Sequence, residues 1–264
     1  MIQIFSEQVG EGMKLAKKVA LSQMVTGLVA LLAIYGLVMF VWVKNYEELE
    51  ERYAQSNLRR LEYLWQKEQA VMASSVGDWA PWDDLYAFAR QPHDLTFVEK
   101  NLQDASMVNL SLDIAIVTDP MGKILFAKAV DKETKKEVAV PPELFTHIRS
   151  GQDYLRNINT DKPLQGILWL KDQPLLFAAQ RIFKSDPSGD SRGILLFLRR
   201  VDVLFIKEIS DVVQAPVHIS REITAVHEAK TDGNYIRSLT PRTDIYGFSS
   251  SVIYVDTPRI LTQE

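Results

Sequence analysis

The sequence predicts an α+β protein, in which an N-terminal transmembrane helix continues into a long stalk helix and an antiparallel sheet with flanking helices follows. Three observations carry that reading. Residues 19–43 hold no charged side chain. Residues 46–76 hold neither proline nor glycine and are rich in the helix formers Glu, Leu, Arg, Gln and Ala. Beyond about residue 110 the spacing changes to short β-rich runs divided by turn residues.

The N-terminal 18 residues are polar and end on Lys14, Lys17 and Lys18. At 1.5 Å per residue the run 19–43 spans a hydrocarbon core of ~30 Å with some tilt. Tyr35, Trp42 and Tyr46 lie toward its far end, where amphipathic rings favour the headgroup level. A cleavable signal peptide would have a shorter apolar region and a small-residue cleavage site, so a retained anchor is expected. Three lysines precede the span, whereas Glu47, Glu48, Glu50 and Glu51 follow Lys44. The positive-inside bias places residues 1–18 in the cytoplasm and the chain after about residue 44 in the periplasm or outside the cell, in the inner membrane of a bacterium or in an archaeon.

From this run into the residues just after it, Leu58, Leu61, Trp65, Met72 and Trp79 recur at three–four spacing, widened by Leu64 and Val71, and Glu68 and Ser75 interrupt the stripe. The stripe either covers the sheet beyond it or forms a homodimer seam. Gly77 is expected to break this helix, with Asp78 as N-cap of the next and Pro81 in its first turn. That second helix should stop before Pro92. At 100° per residue it gathers Trp79, Trp82, Leu85, Tyr86 and Ala89 on one face, with Asp83 at the edge and Asp84 nearly opposite.

A helix over 95–107 should follow. Strands are expected at 114–118 and 123–130 around the turn Asp119-Pro120-Met121-Gly122, then a charged loop at 131–137 and a short helix at 142–150 ended by Gly151. Further strands are expected at 166–170, 175–183 and 193–199, with a loop at 184–191. A helix over 201–213 then leads into strands at 217–220, 235–239 and 245–255, which either extend the sheet or form a small membrane-proximal subdomain.

Composition narrows the function classes. A net charge of −4 and a pI near 5.7 leave no basic surplus for nucleic acid. There is no cysteine, hence no disulfide or thiol chemistry. No nucleophile elbow, P-loop, dinucleotide fingerprint or zinc-protease motif is present. His93, His147, His218 and His227 share no helical ligand spacing, so neither a metal nor a cofactor is expected. Asp78, Asp83 and Asp84 offer a carboxylate pair for a hydrolase only if two converge in a cleft. Asp186 and Asp190 lack the alternating acids of a calcium loop.

With these residues in view, the soluble part resembles the CHASE4 domain. The resemblance rests on Gly77-Asp78-Trp79-Ala80-Pro81-Trp82-Asp83-Asp84-Leu85-Tyr86, on Asn101-Leu102, and on Asp119-Pro120-Met121-Gly122-Lys123-Ile124. A later Gly166…Pro174-Leu175-Leu176…Ala179 hairpin and the Gly193-Ile194-Leu195 strand also fit, over roughly residues 45–200. Gln180-Arg181 departs from the proline expected there. The resemblance implies a Cache/PAS-like fold and an extracytoplasmic sensory role. Such domains sit between two membrane spans and feed a cyclic-di-GMP cyclase, a phosphodiesterase or a histidine kinase. Neither a second span nor an output domain precedes Glu264, so a fragment, or a short form with a separate output partner, is expected.

A small-molecule ligand is expected at Asp78, Trp79, Trp82, Asp83 and Tyr86, which combine stacking surface with carboxylates. Trp169, on a later strand, would line the same cavity or the core. Arg181 alternates with Phe177 and Ala179, hence on an apolar face, and needs either Asp83, Asp78 or a ligand carboxylate as partner. The alternative is a membrane-anchored structural or partner-binding protein with no pocket, its aromatics serving as core and its acids as caps.

Overall fold

The computed structural model describes residues 2–150, 158, 162–185, 190–222, 231, 232, 234–244, 246 and 248–259. The chain divides into two compact units, residues 1–52 with 264, and residues 53–263. In the first, helix α1 (Ile2–Trp79) contains the apolar run, whose side chains from Val19 to Val43 are exposed. Among the described residues it is the one helix long and apolar enough to cross a membrane, with a mean hydropathy of 2.4 over its most apolar window.

In the second unit α1 is followed by α2 (Asp83–Arg90), α3 (Thr96–Asn101) and α4 (Asp104–Asn109). The strands β1 (Ile114–Thr118), β2 (Ile124–Asp131), β3 (Lys136–Val138), β4 (Leu164–Leu170), β5 (Gln173–Ile182) and β6 (Gly193–Arg200) form one antiparallel sheet in the order β3-β2-β1-β6-β5-β4. Helix α5 (Pro142–Ser150) precedes β4 and helix α6 (Val203–Val213) follows β6. A second antiparallel sheet, ordered β7-β10-β9-β8, holds β7 (Val217–Ser220), β8 (Thr231–Asp232), β9 (Tyr235–Thr243) and β10 (Ser249–Pro258). Among the described residues the last four strands thus form a sheet of their own, which meets the first at one isolated bridge, Ile167 with Asp244.

Alternation along the strands gives the six-stranded sheet two different faces. Ala115, Val117, Leu176, Ala178, Leu195 and Phe197 belong to the core formed with α1, α2, α6 and the second sheet. Ile114, Ile116, Phe177, Ala179, Leu196 and Leu198 belong to a smaller core under Leu144 and Ile148 of α5. The stalk stripe covers the first face. Leu61, Trp65, Met72 and Val76 are buried there, Leu58, Leu64 and Trp79 are partly buried, and Val71 is exposed. Glu68, which interrupts the stripe, accepts from Arg199 Nη1 of β6 at 2.5 Å. Trp65 meets Phe205 of α6 edge to face, their centroids 5.9 Å apart.

Gly193 fixes the start of β6. Its φ is +147°, and a Cβ there would lie 1.8 Å from the Thr118 carbonyl oxygen. Only glycine fits.

Three sequence expectations need correction. Helix α1 runs through Gly77 to Trp79, because an interior glycine costs only about 1 kcal/mol whereas Pro81 removes a donor and clashes with the preceding turn. Asp78 thus lies in the last turn of α1 and caps nothing. The helix expected over 95–107 is two short ones, α3 and α4, split at Leu102-Gln103. The charged loop 131–137 contains the start of β3. Gly151, Asp186 and His227 lie outside the described residues.

Candidate functional site

The densest aromatic and acidic stretch builds the corner between α1 and α2. Ala80 and Pro81 turn the chain, and Trp82 has extended backbone just before α2. Asp83 and Asp84 occupy the first turn of α2, at the positive end of its dipole. Leu85 and Phe88 point into the core. Trp79 and Trp82 stack at 5.0 Å with 15° between their planes, and Trp79 meets Phe197 of β6 edge on at 5.6 Å. Trp82 keeps 38% of its surface exposed.

The polar groups of this corner are engaged by the segment between β5 and β6. Ser185 N donates to Asp83 Oδ1 at 3.1 Å, and Ser185 Oγ donates to the Pro81 carbonyl at 3.1 Å. Arg192 Nε donates to Tyr86 Oη at 3.0 Å, and Lys184 Nζ sits 5.5 Å from the Tyr86 ring centroid. Asp78 and Asp84 are exposed. A cleft of about 190 Å³ opens on the far side of α2, between Asp84, Phe88, Gln91, Asp94, Phe97 and Lys100. There the Thr96 hydroxyl and amide hold the Asp94 carboxyl below the usual carboxylate range.

The remaining two predicted site residues lie elsewhere. Arg181 shares the α5 face of β5 with Phe177 and Ala179, whereas Trp79, Leu85 and Phe88 belong to the α1 face. The sheet separates Arg181 from this corner, and among the described residues it forms no ion pair. Trp169 is opposite Pro174, at the end of β5 remote from Ser185. Its Nε1 donates to Ser251 Oγ of β10 at 2.6 Å, and Arg221 lies over its ring at 5.6 Å. It lines a separate cleft of about 450 Å³ with His218, Ile219 and Tyr254. The structure therefore unites Trp79, Trp82, Asp83 and Tyr86, and leaves Asp78, Trp169 and Arg181 outside that group.

Sequence reasoning missed Ser185 and Arg192, more than a hundred residues from their partners. It also missed Asp113, which is 1% exposed. Its carboxylate accepts from Arg200 N at 2.8 Å and from Arg200 Nε at 3.1 Å, with Lys132 Nζ at 3.0 Å. An acid directly before the apolar run of β1, and paired arginines directly after that of β6, were the available signal. Burial pushes the Lys132 amine down from its ordinary value, against the pull of Asp113. Among the described residues no group of three His, Cys, Asp or Glu side chains is placed to hold a metal ion.

The CHASE4 domain model matches residues 65–220. No curated protein matches the sequence significantly. Among solved structures, the chain is similar to the extracellular domain of vpHK1S-Z8, assigned as a histidine kinase, at 12% identity over 81% of this chain and 91% of that one, with a TM-score of 0.52. It is also similar to a domain assigned to a sensory box/GGDEF family protein from Vibrio parahaemolyticus, at 12% identity over 81% and 96%, with a TM-score of 0.52. The periplasmic domain of Vibrio cholerae LuxQ aligns at 11% identity over 79% and 99%, with a TM-score of 0.49. The first two likenesses concern the fold, which is the Cache/PAS-like arrangement of a long N-terminal helix on an antiparallel sheet.

Proposed function

The chain belongs to the CHASE4 family of sensory domains, and from that premise we propose that it is the periplasmic sensing part of a membrane-anchored bacterial signalling protein. Its output would be a cyclic-di-GMP cyclase or phosphodiesterase, or a histidine kinase. The observation that carries this reading is helix α1. One helix contains the exposed apolar run and also the stripe Leu61, Trp65, Met72 and Val76 that completes the sheet's core. A change in the sheet that repacks this stripe changes the helix that enters the anchor.

In this reading the corner of Trp79, Trp82, Asp83 and Tyr86 is the clasp that sets how the end of α1 sits on the sheet. Trp82 is the part of it left open to a ligand or partner. The hydrogen bonds of Asp83 and Tyr86 with Ser185 and Arg192 favour a clasp over an open pocket, since each side chain already accepts a bond from within the chain. Homodimer packing along α1 would use the exposed side carrying Tyr63 and Val71, because the apolar stripe is occupied within the chain.

Hydrogen exchange on the full chain in lipid nanodiscs tests the clasp. Asp83→Ala should speed amide exchange over the last turns of α1, residues 69–79, as well as at 185–192. Faster exchange confined to 185–192 would show that the corner does not govern α1.

A further inference from the structure

We propose that the cleft under α5, where β1, β2, β5 and β6 come together at Ile114, Ala129, Leu175 and Arg200, binds a small monocarboxylate with an apolar body. The cleft holds about 240 Å³ and its wall is made by Ile114, Ala129, Val138, Leu170 and Leu175. That is below the roughly 300–1,000 Å³ of sites for drug-sized ligands, so the occupant is a small metabolite.

The polar end of the cleft is made by Asp113 and Arg200. Asp113 faces two cations, Lys132 and Arg200. Asp131, whose Oδ1 accepts from Thr134 and Glu133 on the exposed turn, also acts on Arg200 through its charge, and Asp202 acts on Lys132. Arg200, which lines the cleft, has a donor to spare. Arg200 spends Nε on Asp113, and Nη2 on Asp113 and the Val130 carbonyl. Its Nη1 has no partner among the described residues, and the side chain keeps 35% of its surface exposed. A planar guanidinium with a spare donor matches a carboxylate oxygen.

The same accounting disfavours an amino acid. Asp113 is consumed by its two cations. Glu143, at the mouth, is held by Lys171 Nζ at 2.7 Å, and that hydrogen bond keeps its carboxyl below the usual range. No carboxylate in the lining is spare for an ammonium group. The Glu143–Lys171 pair also joins α5 to the β4–β5 turn across the entrance.

The consequence of binding rests on the sensory reading above. Arg199, the neighbour of Arg200 on β6, turns to the other face and pairs with Glu68 of α1. A ligand that reorients Arg200 acts one residue from that contact. Binding itself is independent of this step.

Titration calorimetry on the full chain in nanodiscs, with phenylacetate and 4-methylpentanoate as probes, tests the site. Both acids should bind, and their neutral amides, phenylalanine and leucine should each bind at least about tenfold more weakly. Arg200→Gln should erase the preference for acid over amide. Val138→Trp changes a rim residue that is 42% exposed and should block binding without lowering the melting temperature. The proposal is overturned if neither acid binds the wild-type chain, if the amides or amino acids bind as well as the acids, or if Val138→Trp leaves the affinity unchanged. A negative result here, with faster α1 exchange in Asp83→Ala, discards the cleft and keeps the clasp. The converse pattern discards the clasp.

Discussion

Two aspartates at opposite ends of the six-stranded sheet are used in opposite ways. At the α1–α2 corner, Asp83 is exposed and takes a single backbone hydrogen bond from Ser185, while the surrounding apolar side chains are packed in the core. At the α5 cleft, Asp113 is buried beneath two cations, while the neighbouring apolar wall is partly open. The corner has the conspicuous sequence, and its Asp83 and Tyr86 are bonded within the chain. The cleft has an unremarkable sequence and a donor to spare. Density of aromatics and acids accompanies a packed joint here, whereas the cleft proposed for a ligand pairs an apolar wall with a guanidinium that has a spare donor.

Substitutions at each end can break that contrast. Leu85→Ala at the corner removes a fully buried side chain and should cost the most, about 2–5 kcal/mol by chemical denaturation. Asp113→Ala at the cleft should follow at about 2–3 kcal/mol. That is less than the ~3–5 kcal/mol of a fully buried ion pair, because Lys132 and Arg200 keep some solvent. Asp83→Ala should cost at most about 1 kcal/mol, the net worth of one exposed hydrogen bond. If Asp83→Ala destabilised more than Asp113→Ala, the assignment of clasp and charged cleft would be reversed.

The smallest effect should come from the second sheet, which belongs to neither end. His218 stacks on Tyr254 at 4.9 Å, and burial pushes its pKa below the ordinary 6.5, with Asp256 pulling the other way and Arg237 adding to the lowering. A histidine with a depressed folded pKa binds its proton more readily when unfolded. Its contribution is therefore complete above pH 6.5 and is lost as the pH falls through the folded value. Melting temperature should decline across that interval, and His218→Gln should flatten the decline.

Local signals were legible in the sequence. The runs 114–118 and 217–220 coincide with β1 and β7, since apolar β-rich segments between turn residues leave little choice. The Asp119 turn was equally plain, with Asp119 Oδ1 accepting from Met121 N and Lys123 N, and Gly122 at φ 79°. The break between α1 and α2 was placed four residues early, because glycine was weighted above proline. Alternation showed which residues share a face with Arg181, but not which helices cover that face. The last strands were recognised, yet their grouping into a second sheet depends on pairings such as Val255 with Val217, which no local pattern encodes. Trp79, Trp82, Asp83 and Tyr86 were found by their density, while Asp113, Lys132 and Arg200 meet only through the β1–β2 and β1–β6 pairings.

In the sensory reading proposed above, the end of α1 is held on the sheet by contacts a stimulus can loosen. The chain contains no cysteine, so two labels can be placed without background reaction. Spin labels at Lys67→Cys on α1 and Lys123→Cys at the β1–β2 turn, both exposed, report the position of the helix on the sheet. Measured by double electron–electron resonance on the full chain in nanodiscs, the wild-type background should give one narrow distance distribution. Adding Asp83→Ala together with Glu68→Gln should broaden or shift it, as both the corner and the Arg199 contact are released. An identical narrow distribution in both backgrounds would show that these contacts do not position α1.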